Sequence, residues 1–266
     1  MIKYYVIGDL HGSFKPIRDF HLRHNTEKEY NEAEKIMICL GDFCVNYFLD
    51  DAAEGQHRDR QTKEKLGKYP FTYFVIRGNH EERPVNCAND YPDKWHHEIY
   101  FGNHVLVEND YPYIKYAWDF PLKYIINGYS TIVIPGAYSV DKYKRLQMGW
   151  SWFEKEQLNE AEMENGKILL DLENWECDLV LSHTCPIIYE PTDLFLSCVD
   201  QSMVDKTMER YLGEIEYNLN YRAWCWGHYH QHREYPSPDG RRRLMLMHEA
   251  VRLEDVMESK DIVETL

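Results

Sequence analysis

Near the start of this 266-residue chain, Asp9 and His11 stand two apart in Gly8-Asp9-Leu10-His11-Gly12. A carboxylate and an imidazole held together by permissive backbone suit a metal ion, but this pattern alone is weak. Partners of matching chemistry follow downstream: Gly41-Asp42, Gly78-Asn79-His80-Glu81, Ser182-His183 and Gly227-His228-Tyr229-His230. These are oxygen and imidazole donors without thiolate, a set that suits Mn, Fe, Zn and similar ions. A lone histidine at such a position more often bonds backbone or caps a helix. Gly-Asp twice, Gly-Asn-His-Glu once and Gly-His-x-His once do not fit that reading together.

Each group follows an apolar run that reads as a strand: Lys3 to Gly8, Ile36 to Leu40, Phe71 to Ile76, Asp178 to Leu181 and Ala223 to Trp226. Side chains at strand carboxyl ends converge outside the sheet edge, where sites are built. Pro16 to His24 reads as a short helix, Asn25 to Lys35 as a polar connector, and the charged stretch Asp50 to Lys68 as helical. Strand and helix in alternation with polar stops predict parallel pairing through crossovers. From Val105 to Pro135 short runs rich in Tyr, Ile and Val read as antiparallel sheet, with a hairpin at Asn127-Gly128. A loop led by Gly136 and running to Arg145 precedes an amphipathic helix expected near Trp152 to Glu164. A further helix is expected within Gln201 to Leu219, then a hairpin at Asp239-Gly240 with Arg241 to Arg243 as a solvated face. The Trp150/Trp152 and Trp224/Trp226 pairs read as packing. Residues 1–266 read as one domain of the α/β class, with an acidic tail from about Glu254 expected to be partly disordered.

A hydrophobic content of 44%, with 21 Tyr and 7 Trp, is enough for a sizeable core. No apolar run is long enough to span a membrane, and the opening residues enter a strand without a charged-then-apolar leader. The formal net charge of -15 disfavours duplex nucleic acid and anionic membrane as partners. It leaves room for a phosphorylated substrate, because a bound metal reverses the local field. Seven scattered cysteines without a C-x-x-C pair fit reduced thiols and a cytoplasmic location.

In order and spacing, the five motifs from Gly8 to His230 resemble the calcineurin-like metallophosphoesterase superfamily. Arg77-Gly78-Asn79-His80-Glu81 is similar to the serine/threonine phosphatase branch and its bacterial and phage relatives. The loop Gly136 to Tyr143 with Trp150-Ser151-Trp152 resembles a bacterial and prophage group. The resemblance implies a four-layer α/β/β/α sandwich of mixed sheets with two metals at the strand carboxyl ends. It puts Asp9, His11 and His230 on one metal and Asn79, His183 and His228 on the other, with Asp42 bridging. The ions would be divalent or trivalent: Mn first, with Fe, Zn, Co or Ni also compatible. They would clamp phosphate and generate a bridging hydroxide for in-line attack. Catalysis would rest on Asp42 and on His80 as general acid, with Arg77, Asn79 and Arg145 holding phosphate.

The chain departs from that branch after Asp42. The family continues Gly-Asp-x-x-Asp-Arg-Gly, whereas this sequence reads Gly41-Asp42-Phe43-Cys44-Val45-Asn46-Tyr47. Val45 replaces the Asp that would orient His80, and Asn46 replaces the Arg that would grip phosphate. Asp50 or Asp51 are candidates for the missing partner. Hydrolysis of phosphomonoesters, with some phosphodiester activity, is the leading expectation, the substrate being a phosphorylated small molecule, nucleotide or phosphoprotein. The alternatives are a nucleotide or dinucleotide-polyphosphate hydrolase and an inactive scaffold that retains the fold. Oligomeric state stays open.

Overall fold

Alternating faces set the architecture. The computed structural model describes residues 1–49, 55–195, 197 and 199–258. In order, the chain forms β1 (Ile2–Ile7), α1 (Lys15–His24), α2 (Lys28–Glu32), β2 (Glu34–Leu40), α3 (Gly55–Leu66), β3 (Thr72–Ile76) and α4 (Pro84–Asp90). Then come β4 (Trp95–Tyr100), β5 (Asn103–Glu108), β6 (Ile114–Ala117), β7 (Leu122–Ile126), β8 (Tyr129–Ile134), α5 (Lys142–Met148) and α6 (Glu160–Leu172). It finishes with β9 (Leu179–Ser182), α7 (Thr207–Asn218), β10 (Ala223–Trp226), β11 (Arg233–Glu234), β12 (Arg242–Met245), β13 (Val251–Arg252) and α8 (Leu253–Met257).

These strands make two mixed sheets, ordered β13-β1-β2-β3-β6-β5-β4 and β11-β12-β10-β9-β8-β7. Both faces of their central strands are apolar, as expected for sheets covered on two sides. Tyr4, Val6, Ile38, Phe74, Leu181 and Cys225 meet between the sheets. Tyr5, Ile7, Met37 and Val75 pack outward with Ile17 and Phe20 of α1. On the far side, Val180, Trp224 and Trp226 pack with Met208, Leu212 and Ile215 of α7. Three cores between four layers give the α/β/β/α sandwich.

Within the sheets, β1, β2, β3 and β6 run parallel, as do β8, β9, β10 and β12. Parallel pairing brings the carboxyl ends of β1, β2, β3, β9 and β10 to one rim. The Val105 to Pro135 stretch is only partly antiparallel. Its β7–β8 hairpin turns at Asn127-Gly128, but β6 pairs in parallel with β3 and β8 with β9. Side-chain alternation reports which face is buried, not which strand lies alongside.

Several boundaries differ from expectation. The connector after α1 contains α2. The amphipathic helix begins at Glu160 rather than near Trp152, because Asn159 and Glu162 form a reciprocal capping box. Arg145 lies on α5, not in a loop. Arg242 and Arg243 are buried, paired with Glu234 and Glu216, so the run is no solvated face. The tail is helical through Met257; residues 259–266 lie outside the described residues, as do Asp50, Asp51 and Cys198. Among the described residues, no helix is long and apolar enough to cross a membrane.

Candidate functional site

The chain leaves β1, β2 and β10 abruptly. Asp9, His11, Asp42, His228 and His230 all have positive φ, between 46° and 70°. Non-glycine residues rarely hold that backbone unless the surrounding structure imposes it, and such strain concentrates at functional sites. The glycine before a site residue serves a second purpose, making room for a side chain from another strand. A Cβ on Gly78 would stand 2.2 Å from Asp42 Oδ1, and one on Gly41 would stand 2.2 Å from His183 Nδ1.

Asp9, His11, Asp42 and His230 each offer a ligand atom within 4.8 Å of the others. Asp9 is fully buried: Oδ1 accepts the His228 N–H at 2.9 Å, while Oδ2 has no hydrogen-bond partner. Burial, and next the charge of Asp42, push the Asp9 carboxyl well above its ordinary range. Nε2 of His11 lies 2.8 Å from Nε2 of His230. Burial and then the nearby His11 hold His230 at about 4. A buried carboxylate oxygen with no partner, beside two imidazole nitrogens, fits a cation.

Asp42 extends the cluster toward the second group. Its Oδ1 accepts N–H groups from Asn79 and His80 at 3.0 and 2.9 Å and lies 3.4 Å from Nε2 of His183. Burial alone would raise this carboxyl, but His80, His183 and His11 with the His80 N–H hold it below its ordinary value.

The second group has its lone pairs turned inward. The carbonyl of Leu40 can only accept, so at 2.7 Å it fixes the proton of His183 on Nδ1 and leaves Nε2 as an acceptor. Glu156 receives the Ser139 N–H at 2.9 Å and the Ser139 hydroxyl at 2.6 Å. Ser139 Oγ is then free to accept Asn79 Nδ2 at 2.9 Å, which aims Asn79 Oδ1 at the histidines. That oxygen lies 2.8 Å from His183 Nε2 and 3.1 Å from His228 Nδ1. Two acceptors 2.8 Å apart repel unless a cation lies between them. Burial lowers the pKa of His183 and takes that of His228 well below the ordinary value, so protons do not fill this role at neutral pH.

His80 lies beside this cluster, with Nε2 3.8 Å from Asp42 Oδ2 and 3.2 Å from the guanidinium of Arg145. Arg145 is anchored by Asp141 at 2.7 Å and by the Tyr47 hydroxyl at 3.0 Å. Burial lowers the pKa of His80. No carboxylate replaces the missing Asp at Val45 among the described residues; an arginine faces His80 instead. Cys44 Sγ is 3.9 Å from His11 Nδ1, and burial pushes its thiol well above the ordinary value, as for a packed, inert cysteine.

Arg77 requires a correction. Its guanidinium is fully buried and faces Asp119 at 3.1 Å and the Glu156 carbonyl at 2.6 Å, with no opening to a substrate. It braces the fold rather than gripping phosphate. Three contributors were missed by sequence reasoning. Glu81 accepts N–H groups from Gly78 and Cys44, both at 2.9 Å, and so ties the β2 and β3 loops together. Its place in Gly78-Asn79-His80-Glu81 was the available signal. Ser139 lay within the loop singled out after Gly136. Glu156 carried no signal.

The model of the calcineurin-like phosphoesterase family matches residues 2–232. No curated protein matches the chain. Among solved structures, a phosphopantetheinyl hydrolase from Mycobacterium tuberculosis is similar at 14% identity and TM-score 0.46, covering 92% of this chain and 89% of that one. A dimetal phosphatase from Danio rerio is similar at 11% identity and TM-score 0.46, covering 92% and 87%. A third structure aligns over 96% of both chains at 14% identity and TM-score 0.51, a likeness of fold alone.

Proposed function

This chain belongs to the calcineurin-like phosphoesterase family, and from that premise we propose that it is a dimetal hydrolase of phosphomonoesters, with phosphodiesters as secondary substrates. The observation that carries this reading is the inward-facing set of acceptors: Asp9 Oδ2 without a partner, and Asn79 Oδ1 2.8 Å from the unprotonated Nε2 of His183. Such a set is stable only around positive charge.

In this reading Asp9, His11 and His230 hold one cation, Asn79, His183 and His228 the other, and Asp42 bridges them. Only two carboxylates take part, so two divalent ions leave the centre positive and attractive to phosphate. Bound there, the ions would supply Lewis-acid chemistry, drawing charge from phosphate oxygens and activating water for in-line attack. Mn is the proposed resident metal, given oxygen and imidazole donors without thiolate.

The surrounding residues orient and donate. Leu40 fixes the tautomer of His183, and Ser139 with Glu156 fixes the amide of Asn79, the outer contacts that ligand geometry depends on. Arg145 donates to a phosphate oxygen from α5, taking the place of the Arg absent at Asn46. His80 faces the leaving group. In that role it would give the leaving oxygen a proton from its imidazolium form and end neutral. Free thiols at all six described cysteines support a reducing, cytoplasmic setting, and residues 1–266 are proposed to act as one domain.

The test is a substrate panel on protein reconstituted separately with Mn, Fe, Zn, Co and Ni. The panel holds an aryl phosphate, a bis-aryl phosphate, a phosphopeptide, nucleotides and a dinucleoside polyphosphate. Mn-loaded protein should hydrolyse the aryl monoester best, and Asp42→Asn should abolish turnover and metal retention. A panel untouched by any metal form, with Asp42→Asn indistinguishable, would leave the scaffold reading in its place.

A further inference from the structure

A cavity of about 400 Å³ opens beside His11 and His80, on the side of the metal-type cluster that faces α3. Arg58, Gln61, Thr62 and Lys65 of α3 line it, and their spacing of three and four puts them on one helix face. Arg145 lines it as well, in contact with His80 at 3.2 Å. The volume is at the small end of the range for ligand pockets and suits a small molecule.

The cations of α3 divide by face. Arg60 is paired with Glu64 and Lys63 with Glu108, and neither lines this cavity. Arg58 and Lys65 do line it, are exposed, and have no carboxylate partner among the described residues. Each is held instead over an aromatic ring, Arg58 over Phe48 and Lys65 over Phe14, both at 5.0 Å. A ring positions a cation without neutralising it, so both heads keep their charge and their donors. The carboxylate among the described lining residues, Asp59, is withdrawn: Oδ2 accepts the N–H groups of Phe48 and Leu49 at 2.9 and 3.1 Å, and Oδ1 is sealed from solvent. In a chain of net charge -15, this recess therefore presents positive charge to whatever enters it.

We propose that this cavity takes the alcohol portion of the substrate, that the substrates are small phosphate monoesters carrying a second anionic group, and that Arg58 and Lys65 receive that group. The second anion is a carboxylate or a further phosphate. The proposal rests on the phosphoesterase reading for turnover, in which His80 faces the leaving group, but the subsite itself can be read by binding. Arg58 and Lys65 are specificity residues here; they touch no reacting atom.

The experiment compares three phenyl phosphates on Mn-loaded protein, with 2-carboxyethyl, phosphonomethyl or neutral 2-carbamoylethyl at the para position. The wild type should favour at least one anionic ester over the neutral one by about tenfold or more in kcat/KM, and which one it favours separates carboxylate from phosphate. In the double variant Arg58→Gln, Lys65→Gln that preference should fall to within about threefold, with activity on the neutral ester kept. Raising ionic strength from about 0.05 to about 0.5 M should shrink the preference in the wild type. No preference for either anionic ester in the wild type, or a preference that the double substitution or salt leaves unchanged, overturns the proposal. Calorimetry with the two anionic phenols provides a readout without turnover, the pull of the metals being common to both proteins. The wild type should bind at least one of them about fivefold or more tightly than the double variant, and equal binding of both overturns the subsite. That difference in binding without hydrolysis of any ester would sink the phosphoesterase reading and leave the subsite standing.

Discussion

The guanidinium of Arg145 lies 3.2 Å from Nε2 of His80, joining α5 to the loop after β3. The loop after β2 carries Val45 and Asn46 where the resembled pattern has a carboxylate and an arginine. Arg145 comes to His80 from 65 residues further along the chain, held by Asp141 and by the hydroxyl of Tyr47. Arg145→Lys keeps the charge but loses the planar fork that serves these partners together. It should lower kcat/KM on an aryl phosphate by about 10- to 100-fold, with metal content by atomic emission unchanged. Activity within twofold of wild type would remove Arg145 from the site.

His80 should act on the leaving group. Replacement by Asn should cost an alkyl phosphate at least about tenfold more than an aryl phosphate, whose phenolate leaves without protonation. Steady-state kinetics on both esters decide the matter, and equal losses would end the general-acid assignment.

Arg77 and Asp119 form a buried pair 3.1 Å apart. Arg77→Met leaves Asp119 without its counter-charge and should destabilise the fold by about 3–5 kcal/mol, measured by urea unfolding. KM of the surviving folded fraction should stay the same. A raised KM at unaltered stability would restore Arg77 as a phosphate contact.

Gly78 separates the loops that follow β2 and β3. In Gly78→Ala the new Cβ would meet Asp42 N at 2.3 Å as well as its carboxylate, and the Gly78 N–H is tied to Glu81 at 2.9 Å, so the loop has little room to move away. Stability should fall on the order of 3 kcal/mol, and metal stoichiometry should drop from two toward zero. A variant that binds two metals at wild-type affinity would contradict this geometry.

Glu209 should leave a mark on the pH dependence of stability. Burial, offset in part by the Thr184 hydroxyl, raises its carboxyl from 4.5 to about 7. Between those values the folded chain holds a proton that the unfolded chain has lost. Its contribution is therefore fully present below pH 4.5 and declines as pH rises through 7. The stability of wild type minus Glu209→Gln should fall across that window on the order of 2 kcal/mol. A flat difference in paired denaturation curves would argue that Glu209 ionises normally.

The sequence by itself determined the sheet-forming runs and the residues at their carboxyl ends. Strand periodicity, glycine punctuation and ligand chemistry are all local, and Asp9, His11, Asp42, Asn79, His183, His228 and His230 each carry such a signal. Only the tertiary structure decided what lies behind them and across from them. Arg77 and Arg145 read alike in sequence as cations near motifs, yet packing buries one against Asp119 and brings the other to His80. Glu156 and Glu209 had no local mark, because a carboxylate gains its meaning from the groups it faces, and those come from distant segments. Parallel pairing settles all of this at once: it brings five strand ends to one rim, and what each side chain meets there depends on strands up to 219 residues apart, as for Asp9 and the N–H of His228.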